Sequence, residues 1–350
     1  MKLHRLRTAA PAVTIAAALT LSACGSSGAD ESGDSGQSGG DSTSTQDFSP
    51  VTVEHALGEA VIEEKPERVV TLGQGSAETA IALGTTPVGM EEYPWGADET
   101  GYLPWIHEAV DKRGDELPEL FTGSTELDVE AILALEPDVI LAPWSGITQE
   151  QYDVLSDIAP TVAYEEEPWV TTWDQQIETV ATALGEADRA DDLISEIEDE
   201  FSEARRPEWK DLTFSYIYND GPGTLGAFFP DEQRVAMVRE LGLTVDPAVE
   251  DMKEYEVEGT DSAMIGLENA DMLTDSDLVF TFYSDAKNRQ ETESQPLYAS
   301  IPAIERGSVV APEDQSFVTA SSIITPLTVP WVIDRYEPMI DEAIGQLDAE

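Results

Sequence analysis

The stretch LDVEAILALEPDVILA, residues 127–142, decides the fold. Asp128 offers a side-chain oxygen where a helix start needs one, and good helix formers run from there to Leu135. Glu136-Pro137 breaks that helix, since proline has no N–H and disfavours helical backbone just before it. Asp138–Ala142 (DVILA) is then a short apolar run, as expected for a strand covered on both faces.

The same grammar extends in both directions. Upstream, Arg68–Leu72 (RVVTL) reads as a strand, Gly73-Gln74-Gly75 turns, Ser76 caps a helix through Leu83, and Gly84 ends it. Pro87–Met90 is another strand. Downstream, Gln149–Ile158 is helical by period and Thr161–Tyr164 is extended. A second half repeats the pattern: strand Leu212–Tyr218, turn Asn219–Gly223, helix Gln233–Leu241, helix Leu267–Leu273, strand Leu278–Tyr283, extended Ser308–Ala311, and a long last helix near 326–347. Alternating strands and helices predict an α/β protein of two Rossmann-like lobes with parallel sheets. Between the halves, apolar residues recur at helical spacing at Ile177, Val180, Ala181 and Leu184, and again at Ala187, Ala190, Leu193, Ile194, Ile197 and Phe201. This predicts a long, stiff helical joint over 173–207, between an N-terminal lobe at 50–172 and a C-terminal lobe at 208–350.

The first 23 residues read as a secretory signal. Lys2, Arg5 and Arg7 precede an uncharged apolar run over 9–23, which as a helix reaches only roughly 22 Å against a ~30 Å hydrocarbon core. The run ends in Leu21-Ser22-Ala23-Cys24, which resembles the lipobox of bacterial lipoproteins; that resemblance implies that Cys24 is lipidated and becomes the new N-terminus. Residues 24–49, rich in Gly, Ser and Asp, cannot bury enough surface to fold and read as a flexible tether.

The 350 residues hold 71 acids against 18 bases, a formal charge of −53. Removing Lys2, Arg5 and Arg7 with the leader leaves 15 bases. Such a chain lacks the basic footprint of a nucleic-acid binder and the charge to bind an anionic membrane surface. It self-repels and stays soluble, as in proteins that work in high salt; an acidic niche is the alternative. Cys24 is the single cysteine, which excludes a disulfide framework or redox pair. His55 and His107 are the only histidines beyond the leader. No nucleophile elbow, phosphate loop or metal-binding helix is present. The residues therefore give no sign of an enzyme and no clustered ligands for a resident metal or cofactor.

One ordered set of strings resembles a known family: Pro66-Glu67-Arg68-Val69-Val70, Glu78, Ala82-Leu83-Gly84, Pro87-Val88-Gly89, LDVEAILALEPDVILA, SGITQEQYDVLSDIAPTVAY (145–164), Trp169–Trp173, PAIERGSVV (302–310) and TPLTVPWVIDRY (325–336). Their order over residues 50–345, behind a lipobox, resembles the siderophore-binding lipoproteins of iron ABC importers, a branch of the helix-joined (class III) periplasmic binding proteins that includes vitamin B12 binders. The resemblance implies capture of a ferric siderophore between the lobes and delivery to a permease dimer. It implies a lipid-anchored monomer on the extracellular face of the cell membrane, with iron held by the siderophore alone. It also implies that one glutamate per lobe meets a permease arginine. The matching residues are Glu130 in LDVEAI and Glu268 in IGLENA. Some hydroxamate-binding relatives carry an arginine where this chain has Gly123-Ser124-Thr125.

Ligands of open parallel sheets sit beyond the carboxyl ends of the strands. The residues that follow those ends make Trp95, Trp144, Ser145, Trp169, Arg234, Tyr283, Arg289 and Phe317 the expected ligand-binding set. Aromatic rings there suit a broad amphipathic ligand. Few bases follow the strand ends: Arg234, Lys253, Lys287 and Arg289, all in the second half. This favours a neutral or cationic hydroxamate chelate over a polyanionic catecholate. The same fold with haem or a cobalamin as cargo is one alternative, and an acidic surface hydrolase or adhesin is another.

Overall fold

The computed structural model describes residues 48–123, 126–257 and 260–347. The leader, Cys24 and nearly all of the tether lie outside the described residues. Among the described residues no helix is long and apolar enough to cross a membrane.

The described chain opens with an antiparallel hairpin of β1 (Val51–His55) and β2 (Gly58–Ile62). The first lobe is built on a five-stranded sheet of β3 (Val69–Thr71), β4 (Gly89–Glu91), β5 (Glu119–Phe121), β6 (Val139–Leu141) and β7 (Thr161–Val162). Its order is β5-β4-β3-β6-β7, and every pairing is parallel. The deciding stretch folds as its pattern predicts. The helix is Val129–Ala134, the Asp128 side chain accepts from the Ala131 N–H at 2.9 Å, and all three residues of β6 are buried.

The second lobe holds β8 (Thr213–Tyr218), β9 (Gly226–Phe228), β10 (Thr244–Val245), β11 (Ser262–Met264), β12 (Leu278–Phe280) and β13 (Val309–Val310). Its main path is β11-β9-β8-β12-β13, with β10 also paired to β8. Here the expectation of a purely parallel sheet is corrected, because β9 runs antiparallel to both β8 and β11. The turn after Tyr218 is short enough to send the chain straight back as a hairpin, so no helix crosses over between β8 and β9. Leu267–Leu273 is a 3-10 helix with non-helical backbone at Asn269, not a regular α-helix.

The joint comprises the helices Trp173–Ala183 and Ala190–Ala204, separated at Gly185 and a short 3-10 turn. Most of its predicted stripe (Ile177, Val180, Ala181, Leu184, Ala190, Leu193, Ile197 and Phe201) is buried, whereas Ile194 is half-buried and Ala187 is exposed. The buried residues belong to a single apolar cluster that also contains Val69 and Leu141 of the first sheet and Phe214 and Phe280 of the second. The last helix, Thr328–Gly345, lays Trp331 5.4 Å from Trp105 of the first lobe. The lobes thus share a core through the joint, which resists wide hinge opening.

Candidate functional site

The carboxyl end of the first sheet carries a cavity of about 270 Å³ whose lining includes Gln74, Glu91, Tyr93, Trp144, Ser145 and Trp169. Trp144 follows β6 and is nearly buried; Trp169 lies edge-on to it at 4.9 Å and is 42% exposed. Ser145 is buried and donates its hydroxyl to the Ala142 carbonyl at 2.7 Å. Sequence reasoning therefore brings three of its eight ligand-binding residues together here.

Two glycines make this geometry possible. Gly73 has φ +71°, and a Cβ there would strike the Trp144 carbonyl oxygen. A Cβ on Gly146 would stand 2.6 Å from the Trp169 ring, so the indole lies directly on that backbone. Trp169 itself has φ +65°, rare for a bulky residue and costing of order 1–3 kcal/mol. Gly73→Ala is expected to lower stability by about 1–3 kcal/mol, from left-handed strain alone, with the clash adding to it. Thermal unfolding measures the loss.

Glu78 and Glu91 are the residues that sequence reasoning missed. Glu91 ends β4 and is buried; its Oε2 accepts from the Gly73 N–H at 2.9 Å and the Tyr93 hydroxyl at 3.4 Å. Burial pushes its carboxyl above the usual range, while those two hydrogen bonds pull it back. Glu78 is fully buried, accepting from Trp105 Nε1 at 2.9 Å and from the Gly75 N–H at 3.0 Å. Burial raises its pKa as well. This also corrects the capping expectation. Gly75, in left-handed conformation, is the N-cap, and Ser76 is the first residue of the helix Ser76–Ala82, with its hydroxyl buried and unpartnered.

On the second lobe, Arg234 lies in the first turn of the helix Gln233–Glu240. Its guanidinium stands 4.7 Å from the Phe228 ring centroid and 5.7 Å from that of Phe282, and it pairs with Glu232. Burial pushes the Tyr216 hydroxyl below it up to about 12, against the opposing pull of Arg234. Trp95 connects the two lobes, donating from Nε1 to the Ser284 carbonyl at 3.4 Å with its ring 6.3 Å from Phe282. Phe282 therefore lies between Trp95 of one lobe and Arg234 of the other. Gln233 adds a second bridge, from Nε2 to the Thr171 carbonyl at 3.5 Å.

The remaining expected residues lie elsewhere. Phe317 is 1% exposed and packs on Tyr336 in the core, because the helix Gln315–Ala320 turns it inward. Tyr283 is buried with its hydroxyl 2.9 Å from that of Tyr298. Arg289 sits on the helix Ala286–Glu293, paired with Glu293 at 2.8 Å and Glu313 at 2.7 Å. Lys253 and Lys287 are exposed and paired with Glu250 and Glu291. Of the expected four bases, Arg234 reaches the Phe228 and Phe282 rings and Arg289 stands 5.6 Å from the Tyr283 ring centroid. Glu130 and Glu268 are both exposed in the first turns of their helices. Ser124 and Thr125, where some relatives carry arginine, lie outside the described residues.

A larger cavity of about 720 Å³ opens at the other end of the first sheet. Its arginines are already committed to the carbonyls at helix ends. Arg68 donates to the Leu135 and Glu136 carbonyls, and Arg113 to the Gly84 carbonyl at 2.7 Å. It also sits at the amino ends of the strands, opposite to where such sheets bind ligands. Among the described residues no group of three or more His, Cys, Asp or Glu is placed to hold a metal.

Comparison with known proteins places this architecture. Residues 69–315 match the family described as periplasmic binding protein. The chain is 28% identical over 325 residues to "Probable siderophore-binding lipoprotein YfiY" of Bacillus subtilis, covering 89% of this chain and 92% of that protein. It is 24% identical over 288 residues to "Ferric enterobactin-binding periplasmic protein FepB" of Escherichia coli, covering 77% and 85%. The crystal structure of Streptococcus pneumoniae PiaA in complex with ferrichrome matches with a TM-score of 0.76 and 32% identity, covering 85% of this chain and 99% of that one. On the family match and on this two-lobed, helix-joined fold, the chain belongs to the periplasmic binding protein family.

Proposed function

We propose that this protein is the extracytoplasmic binding component of an ABC importer, capturing a ferric siderophore between its lobes and handing it to a permease dimer. The observation that carries this reading is the set of aromatic rings at the facing ends of the two lobes. Trp144 and Trp169 on one lobe, Phe228 and Phe282 on the other, and Trp95 bridging them offer broad ring surface with few polar anchors. Such a lining suits a large chelate whose iron is already fully coordinated. The relatives point the same way by name: YfiY as a siderophore-binding lipoprotein, FepB for ferric enterobactin, and PiaA with ferrichrome bound. Ferrichrome, bound by a neighbour that is 32% identical, is a hydroxamate chelate, and the scarcity of cleft bases favours the same class. The ligand-binding set we propose is Trp95, Trp144, Ser145, Trp169 and Arg234. Tryptophan fluorescence tests it: a ferric hydroxamate quenches saturably, and absence of any saturable change with ferric hydroxamate, catecholate and citrate alike refutes the reading.

In the same reading the chain divides into a signal at 1–23, a tether at 24–49, lobes at 50–172 and 208–350, and a joint at 173–207. The protein acts as a lipid-anchored monomer on the outer face of the cell membrane. Cys24→Ser is expected to release it into the medium or leave the precursor uncut. Two acyl chains give stable anchoring where one does not. Cell fractionation with intact-mass measurement checks this, and unchanged membrane retention with unchanged mass refutes it.

A further inference from the structure

The first-lobe cavity holds a buried carboxyl that the siderophore reading does not use. Glu91 is 8% exposed, and among the described ion pairs none includes it. A buried carboxylate without a cation costs several kcal/mol unless something neutralises it. Two features keep it an acceptor. The Gly73 N–H and the Tyr93 hydroxyl both donate to Oε2, which favours the ionised form. The other oxygen, Oε1, lies against Gly123, where a Cβ would stand 2.8 Å from it, and has no hydrogen-bond partner among the described residues. Three aromatic residues, Tyr93, Trp144 and Trp169, line the same cavity. Ring faces attract cations, most strongly where water is excluded. Glu92, the next residue, adds a further negative charge beside Glu91.

We propose that Glu91, together with Trp144, Trp169 and Tyr93, forms a subsite for a pendant ammonium group carried by the ligand, so that the preferred chelates are cationic hydroxamates. The subsite rests on the siderophore reading and narrows it. A cavity of about 270 Å³ takes an aminoalkyl arm but not a whole ferric chelate, which stays in the cleft beyond. The arm's ammonium meets Oε1 and the ring faces, supplying the charge partner that the chain itself withholds. A neutral chelate binds through the cleft alone and leaves Glu91 unpaired.

The test uses two chelates with the same iron coordination: ferrioxamine B, which has a free terminal ammonium, and its N-acetylated derivative, which has none. Both are titrated by tryptophan quenching into the mature protein and into Glu91→Gln at one salt concentration. The unaltered protein is expected to bind ferrioxamine B at least about tenfold more tightly, ~1.4 kcal/mol. In E91Q that ratio falls toward one. Because the comparison in the unaltered protein needs no substitution, it stands even if E91Q folds poorly. Equal affinities for the two chelates overturn the subsite and leave the siderophore reading intact. A ratio that persists in E91Q removes Glu91 as the acceptor and overturns the assignment. No binding of either chelate overturns the subsite, and the siderophore reading falls with it only if ferric catecholate and ferric citrate also fail to bind.

Discussion

Replacing Glu130 and Glu268 together by alanine is expected to abolish ligand uptake by cells while the purified protein binds its ligand as before. Each acid is exposed, in the first turn of a helix that feeds a buried strand, β6 in one lobe and β12 in the other. Neither is committed to an ion pair among the described residues. Exposed leucines accompany them. Leu133 lies on the same helix as Glu130, and Leu297 shares a shallow cavity with Glu268. Two like lobes present two like charges to a two-fold permease. The control is an equal change in charge elsewhere, Glu196→Ala with Glu203→Ala on the exposed side of the joint. Uptake of radiolabelled iron as the ferric chelate should persist in the control and fall to background in the docking mutant. Normal uptake by the docking mutant removes the assignment.

A preference for neutral or cationic ferric hydroxamates over ferric catecholates and ferric citrate is the second large effect expected. A catecholate trianion needs several converging bases, because a buried unpaired charge costs several kcal/mol. Arg234 stands over the Phe228 and Phe282 rings and Arg289 over that of Tyr283, and Glu232, Glu293 and Glu313 already neutralise them. The first-lobe cavity adds Glu91. At the mouth, Glu167 of the first lobe lies near Asp261, whose carboxyl is raised by burial and by the charges of Asp231, Glu256 and Glu167. This rim slows an approaching anion, most at low salt. Titrating ferrioxamine, ferric enterobactin and ferric citrate by tryptophan quenching at equal salt should rank ferrioxamine first. Tighter binding of enterobactin by a factor of about ten, ~1.4 kcal/mol, refutes the charge argument.

The parts of the fold that sequence made legible are those whose local chemistry admits one reading. Asp128, Glu136-Pro137 and the run DVILA each specify a helix start, a stop and a buried strand, and the structure has all three. The joint was legible because its apolar stripe keeps one period over many residues. β9 and β11 were not, since three residues such as Gly226–Phe228 or Ser262–Met264 carry no pattern of their own and are strands only through their neighbours. Aromatic residues after strands were half legible. Sequence places Trp144 and Phe317 alike beyond a strand end, but helix direction alone turns Phe317 into the core. Glu91 gave no signal among 71 acids, and Glu78 appeared only as one letter of the family resemblance, with no role attached. What separates them from the rest is burial beside Gly75 and Gly73, a property of packing that composition cannot carry.

The most direct test is native mass spectrometry of the full-length protein purified from iron-limited culture with its ligand retained. A bound species with the isotope signature of a ferric hydroxamate chelate, one per chain, is the predicted result. Retention of haem, of a cobalamin or of a ligand without iron would contradict the central claim that this cleft exists to hold a ferric siderophore.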